Sequence, residues 1–360
     1  MIEAGAIRDA SVRAERRGAA AYILLDRPEA LNALTLPMVR AIAGALDDFA
    51  GDPEVARVVV ASAGGRAFCA GGDVRLFYQL GRAGDHAQQL AFWREEYQLN
   101  RRIARYTKPI VALIDGIVMG GGAGLSLHAA RRVVGERCLF AMPEVGIGFF
   151  PDVGATYALA RAPSRIGALL AATGMRIDAG EMIALGLADA FVPSAAHSAL
   201  LAALADADGL DAIVDRFAAP APPARLASEG ATIRAWFERL DRLPVLDELA
   251  AATAAGGEIA AAALAAMRTT SPTSQEIALR QIAVAANSSL EETLRVDFRI
   301  VSRICRGQDM YEGVRAAIID KDRAPRWRPA PGEPGGEAGI DGYFAPLPAD
   351  EELTFPEPSR

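Results

Sequence analysis

The chain has 360 residues, 51 % of them apolar, with 38 Lys and Arg against 45 Asp and Glu and a formal net charge of −7. That length and apolar share predict a globular protein with a sizeable core, either one large domain with an appendage or two domains. The acidic balance, with no basic run interleaved with aromatics, excludes nucleic acid as an expected partner, and no apolar stretch is long and uninterrupted enough to span a membrane.

In chain order, residues 1–20 are a short charged lead-in without the apolar run of a secretory signal. "AAYILLDRP" is an apolar run closed by Arg27-Pro28 and predicts a buried strand. "LTLPMVRAIAGALDDFAGDP" has helical apolar spacing with a stop at Asp52-Pro53, and "VARVVVAS" predicts a second strand. Residues 85–106 predict a helix, "KPIVALIDG" a third strand, and "GGGAGLSLHAARR" a glycine turn opening a helix. "RVVGERCLFAMPE" repeats the strand-to-loop theme and "DVGATYALARAPS" starts another helix. Strands alternating with helices to about Val192 predict an α/β fold.

From about Ala205 the composition changes to alanine-rich, charged runs such as "ELAAATAAGGEIAAAALAAM", of high helix propensity. "SPTSQEIALRQIA" carries a helix start, with Ser271 before Pro272 and Thr273 three residues ahead of Glu276. Beyond Trp327 the density of Pro, Gly and acid predicts little regular structure, with Tyr343, Phe344 and Phe355 available to dock it. Cys69, Cys138 and Cys305 form no CxxC pair, and His86, His128 and His197 have no metal-ligand spacing among them. These counts argue for a reducing, cytoplasmic setting and against a metal.

Two glycine-rich loops each follow a Val- or Ile-rich strand: "FCAGGD" at 68–73 and "MGGGAG" at 119–124. Glycine lets backbone N–H groups approach a ligand, so an oxyanion hole is one reading and a tight packing turn the other. The dinucleotide fingerprint G-x-G-x-x-G fails, since its sixth position falls on Leu125 or Leu127. "GLSLH" lacks the glycine of a nucleophile elbow, and Ser126 and His128 point to different helix faces. Cys69 reads as a nucleophile or, more commonly for a small thiol, as a packing residue.

The segment "MPEVGIGFFPDVG" at 142–154 sets two acids, Glu144 and Asp152, each behind a proline, in an apolar run. Asp152 reads as a helix N-cap over "VGATYALARA" or as a site acid. Glu144 has no capping role, and burial without a partner would be costly.

Together, "LDRPEALNALTLPMV", "GGRAFCAGGDVR", "KPIVALIDGIVMGGGAGLS" and "AMPEVGIGFFPDVGATYAL" resemble the enoyl-CoA hydratase/isomerase (crotonase) superfamily over roughly residues 20–330. The resemblance implies a crotonase-like spiral of ββα units followed by a C-terminal helical region. It also implies an acyl-CoA ligand whose thioester oxygen lies between two backbone N–H groups, placed at Ala70 and Gly121. Hydratases of the superfamily use two glutamates; here Gly124 stands at the first position and only Glu144 remains, which disfavours addition of water across a double bond. "FWREEYQLN", "TTSPTSQEIALRQI" and "GQDMYEGVRAAIIDKDRAPRWRPA" add a likeness to the superfamily's hydrolase branch. That branch implies hydrolysis of a short 3-hydroxyacyl-CoA thioester such as 3-hydroxyisobutyryl-CoA, an intermediate of valine breakdown.

On that resemblance Glu144 acts on the thioester as nucleophile or base, Asp152 orients the 3-hydroxyl or a water, and Glu96 closes the acyl end. From its sequence alone Glu96 reads as part of a solvated helix face with Glu95. Lys321 and Arg323 would stand near the CoA phosphates, or form a solvated cluster, and Asp73 and Arg75 would border the adenine. No cofactor is expected, CoA being part of the substrate, and a homo-oligomer is compatible with the sequence. The expected layout is a lead-in at 1–20, a spiral core at 21–205, helices at 206–330 and an irregular tail at 331–360. The alternatives are an enoyl-CoA hydratase or isomerase, and a catalytically silent CoA-binding protein.

Overall fold

The computed structural model describes residues 9–328 and 337–356. The chain divides into two compact units that interleave along the sequence. One comprises Met1–Gly72, Gln98–Phe140 and Ile177–Ala224, the other Asp73–Tyr97, Ala141–Arg176 and Arg225–Arg360.

The first unit carries the strands, save the last residue of β8. They are β1 (Val12–Arg17), β2 (Ala20–Leu25), β3 (Arg57–Ser62), β4 (Ala67–Cys69), β5 (Ile110–Ile114), β6 (Ile117–Met119), β7 (Arg131–Val134), β8 (Leu139–Ala141), β9 (Ile177–Asp178) and β10 (Ala190–Phe191). One sheet has the order β1-β2-β3-β5-β7-β10 and the other β4-β6-β8-β9. From β3 to β8, each pair of consecutive strands therefore sends its first member to the larger sheet and its second to the smaller. With helices such as Val74–Arg82 and Gly121–Ser126 following the pairs, this is the ββα repeat that the resemblance implied.

The continuous Val, Ile and Leu runs are explained by parallel pairing: β2, β3, β5, β7 and β10 are all parallel neighbours, so both faces are covered and period-two alternation is lost. Tyr22, Val59, Val111, Leu113 and Val133 pack with Leu200, Leu204, Ile213 and Val214. Buried Arg57 donates to the carbonyls of Leu204 and Asp206 at 2.9 Å and of Asp208 at 2.6 Å, a cation at the end of the helix His197–Ala203.

The 1–20 lead-in needs correcting: Val12–Arg17 is a strand, paired antiparallel to β2. It escaped the sequence reading because only Val12 is buried, and charged side chains on an edge strand look like a solvated tail.

The second unit is helical. Its longer elements after residue 225 are Arg242–Ala254, Glu258–Thr269, Pro272–Ala285 and Leu290–Ile304. Ser271 caps the third, its hydroxyl accepting from Ser274 N at 3.2 Å, whereas the reciprocal capping box lies one helix later, at Ser289 and Glu292. The tail also needs correcting. Glu337–Phe344 is a helix with Ile340 buried, the Arg280 guanidinium 5.0 Å from the Phe344 ring and that of Arg295 5.3 Å from Phe355. The aromatics predicted to dock it supply the anchorage that its composition concealed. Residues 331–336 and 357–360 of the expected tail lie outside the described residues. No described helix is long and apolar enough to cross a membrane.

Candidate active site

In the first unit the glycine loops follow β4 and β6. Gly120 caps the helix Gly121–Ser126 at φ +48, ψ −123, a conformation open to glycine. A Cβ on Gly122 would stand 2.2 Å from the Cys69 carbonyl oxygen, and one on Gly71, at φ +111, would lie 3.8 Å from Gly121 N. Glycine is thus required at 122 because the two loop backbones touch, and at 71 because of its positive φ. Buried Asn32 ties the first loop down: its amide donates to Ser62 Oγ at 2.9 Å and to the carbonyls of Ala67 at 3.1 Å and Phe68 at 2.9 Å. Leu34 N donates to Gly71 O at 2.7 Å.

The Ala70 donor is corrected by the same stitching. Ala70 N–H donates to Leu31 O at 3.0 Å and is spent within the fold. The next two N–H groups, of Gly71 and Gly72, donate to nothing among the described residues. Gly121 begins its helix, so its N–H has no intrahelical acceptor, as its expected role requires.

In the second unit Glu96, Glu144 and Asp152 are buried, at 2 %, 8 % and 5 % exposure. Glu96 sits on the helix His86–Ala104, Glu144 in the 3-10 turn Glu144–Ile147 just after β8, and Asp152 in the loop ahead of the helix Ala155–Leu159. Burial removes the solvated-face reading of Glu96. That last helix is capped by Gly154 without a side chain; the Asp152 carbonyl, rather than its carboxylate, accepts from Ala155 N at 2.9 Å. The carboxylate accepts instead from Tyr97 Oη at 2.8 Å. Glu96 Oε1 and Glu144 Oε2 have no hydrogen-bond partner among the described residues.

The three acids also bear on one another. Burial raises Glu96 well above the usual carboxylate range, helped by the Asp152 and Glu144 charges. Burial, then Asp152, does the same to Glu144. Asp152 is pushed up to about 7 by burial, opposed by the Tyr97 hydrogen bond. Buried like charges cannot all ionise cheaply, so ionisation of one of these acids disfavours ionisation of its neighbours. The "GFFPD" phenylalanines form part of the apolar surroundings: Phe149 stacks on Trp93, one turn before Glu96, at 5.6 Å, and meets Phe150 in a tilted contact at 4.5 Å.

Other candidates recede. The buried Ser126 hydroxyl donates to Gly122 O at 2.8 Å, a packing bond within its own helix. Asp73 caps the helix Val74–Arg82 through Leu76 N, and Arg75 donates to Ile318 O at 3.3 Å. Lys321 and Arg323 are exposed, at φ 58 and 55. No group of three or more His, Cys, Asp or Glu among the described residues could hold a metal. Sequence reasoning missed Tyr97, Asn32, Gln281 and Asp297. Tyr97 was signalled only by adjacency to Glu96, and the last two by nothing local, since the loop atoms they hold, Gly154 N and Pro151 O, lie more than 120 residues away.

A sequence profile described as enoyl-CoA hydratase/isomerase matches residues 20–344. A Xenopus tropicalis protein named 3-hydroxyisobutyryl-CoA hydrolase, mitochondrial, is 40 % identical over 351 residues, covering 95 % of this chain and 90 % of that one. The Homo sapiens protein of the same name is 37 % identical over 353 residues, with the same coverage. Among solved structures, an enoyl-CoA hydratase from Rhodobacter sphaeroides is 42 % identical with a TM-score of 0.89, covering 96 % of this chain and 100 % of its own. A carnitinyl-CoA dehydratase from Mycobacterium thermoresistibile is 38 % identical with a TM-score of 0.90, covering 96 % and 99 %.

Proposed function

Because the chain belongs to the enoyl-CoA hydratase/isomerase family, we propose that it hydrolyses a short 3-hydroxyacyl-CoA thioester, 3-hydroxyisobutyryl-CoA, to the free acid and CoA. The observation that carries this reading is Gly124 in the helix Gly121–Ser126, where a hydratase would hold its first glutamate, together with a buried Glu144 that has an unpartnered oxygen. One acid with backbone N–H donors suits acyl transfer; hydration needs a second acid that Gly124 cannot be.

In this reading the ionised Glu144 attacks the thioester carbonyl, releasing CoA thiolate and forming an anhydride that water then hydrolyses to the free acid and the Glu144 carboxylate, or it deprotonates a water that attacks the carbonyl and expels CoA thiolate. Desolvation strengthens it as nucleophile and base alike. The carbonyl oxygen gains negative charge, which the Gly121 N–H and a second donor from the Gly71–Gly72 pair stabilise, each worth roughly 10²–10³ in turnover. Asp152 accepts from the 3-hydroxyl or the water, and Glu96 closes the acyl end. Lys321 and Arg323 face the CoA phosphates, and no cofactor takes part. A place in valine breakdown follows from the substrate. A reducing compartment such as the cytoplasm is supported by three buried cysteines outside any disulfide, although the two relatives carry "mitochondrial" in their names.

Thiol release over a panel of acyl-CoA esters tests this. CoA should appear from 3-hydroxyisobutyryl-CoA and 3-hydroxypropionyl-CoA; none from either, with crotonyl-CoA losing absorbance instead, would establish the hydratase reading that the two solved structures' names suggest.

A further inference from the structure

Asp297 is a fully buried carboxylate on the helix Leu290–Ile304, outside the family-derived site residues. Its Oδ2 accepts from Gly154 N–H at 2.8 Å, and its Oδ1 from Gln281 Nε2 at 2.8 Å. Gln281, buried on the helix Pro272–Ala285, also donates from Nε2 to Pro151 O at 3.2 Å. The pair therefore grips the chain on both sides of the dipeptide Asp152–Val153.

That dipeptide needs gripping. Val153 lies at φ +55 and Gly154 at φ +69, and a β-branched residue in the left-handed region is strained. A loop held in such a conformation relaxes unless its surroundings fix it, and relaxation would carry the Asp152 side chain with it. A buried carboxyl group is also an expensive way to fill a core, since apolar residues of similar volume commonly serve as well or better; burial pushes Asp297 well above the usual carboxylate range, opposed by the hydrogen bond from Gly154 N–H. Here the carboxyl group has a specific recipient, the backbone N–H two residues past Asp152.

We infer that Asp297 and Gln281 are positioning residues that hold the 151–154 loop in its strained conformation and so aim the Asp152 carboxylate at the substrate. Together with Tyr97, which donates to Asp152 Oδ2, they fix the acid through both its backbone and its side chain. The inference rests on the proposed thioester hydrolysis. Asparagine cannot replace Asp297 without loss: its NH₂ would face the Gln281 NH₂, and flipping Gln281 would set its oxygen against Pro151 O.

The test measures kcat and KM for 3-hydroxyisobutyryl-CoA in Asp297→Asn, Gln281→Met and the double variant, together with hydrogen exchange at the Gly154 amide. Each single variant should lose about 10–100-fold in kcat, with KM within about threefold of wild type. The double variant should lose no more than about threefold beyond the worse single, because both act through one loop. Exchange at Gly154 should quicken in Asp297→Asn. Folded variants with wild-type kcat, or with losses that multiply in the double variant, overturn the inference. Gln281→Met changes neither charge nor much volume, so it decides the matter if Asp297→Asn does not fold. An inactive wild type would sink the hydrolase reading instead, while the exchange measurement would still report whether the latch holds the loop.

Discussion

The two units bring opposite chemistries. The sheet-bearing unit offers neutral backbone dipoles: glycine loops packed backbone on backbone, with Gly121 N–H at a helix start. The helical unit offers Glu96, Glu144 and Asp152 in a desolvated interior, each pushed upward by burial before any neighbour acts. The difference lies in where the energetic cost falls. Oriented N–H groups are fixed by the fold and carry no net charge to desolvate, whereas every buried carboxylate destabilises the folded state in proportion to its tendency to ionise. The first region should therefore be sensitive to shape and insensitive to pH, and the second sensitive to pH as well as to position.

The largest effect should come from the acids. Glu144→Gln preserves shape and removes the charge; turnover should fall by about 10²–10⁴-fold in the thiol-release assay while the circular dichroism spectrum is retained. If more than a tenth of the activity survives, the assignment of Glu144 fails. Next, Gly122→Ala drives a Cβ to 2.2 Å from the Cys69 carbonyl, which no side-chain rotation relieves. Its loss should approach that of an oxyanion donor, roughly 10²–10³-fold in kcat, with the same factor at pH 6 and pH 9. A factor that changes with pH would erase the contrast between the units.

The pH dependence of stability is the third handle. Asp152 titrates near 7 when folded, against about 3.8 for an ordinary aspartate. Between those values the folded chain binds more protons than the unfolded one, so stability falls as pH rises from about 4 to about 7 and levels off above. Glu96 and Glu144, raised in the same direction, extend the decline to higher pH. Asp152→Asn should thus be more stable than wild type at pH 8, by on the order of 1–4 kcal/mol in unfolding free energy and with a higher Tm, and lose that advantage near pH 4. A variant equally stabilised at both pH values would show that ionisation is not the cause.

The smallest effect is expected from Tyr97→Phe. Removing its hydrogen bond, which lowers Asp152, should move the rising limb of the pH–kcat profile upward from about 7 and reduce turnover at pH 7 by roughly tenfold. An unshifted limb would separate Asp152 from the limb altogether.

Much of this was legible in the sequence because the information is local. The Val-rich β3 and β5 runs, the two glycine loops and the proline-framed acids each identify themselves within a dozen residues. Where the reading failed, the deciding partner was elsewhere. β1 exists because β2 pairs with it, and Ala70 is unavailable because Leu31 takes its N–H. Glu96 looked solvated beside Glu95 because a helix does not reveal which face its neighbours cover.

By itself the sequence determined the alternation of Val- and Ile-rich strands with helices and the glycines that permit backbone contact, both of which follow from residue type and short-range spacing, while the absence of a hydratase glutamate at Gly124 follows from the family resemblance. Only the tertiary structure decided which N–H groups remain unengaged, that Glu96, Glu144 and Asp152 share one desolvated environment, and that Asp297 and Gln281 hold the loop between Pro151 and Gly154. Hydrogen-bond satisfaction and desolvation depend on what lies nearby in space, and for these groups the neighbours are tens to more than a hundred residues distant along the chain.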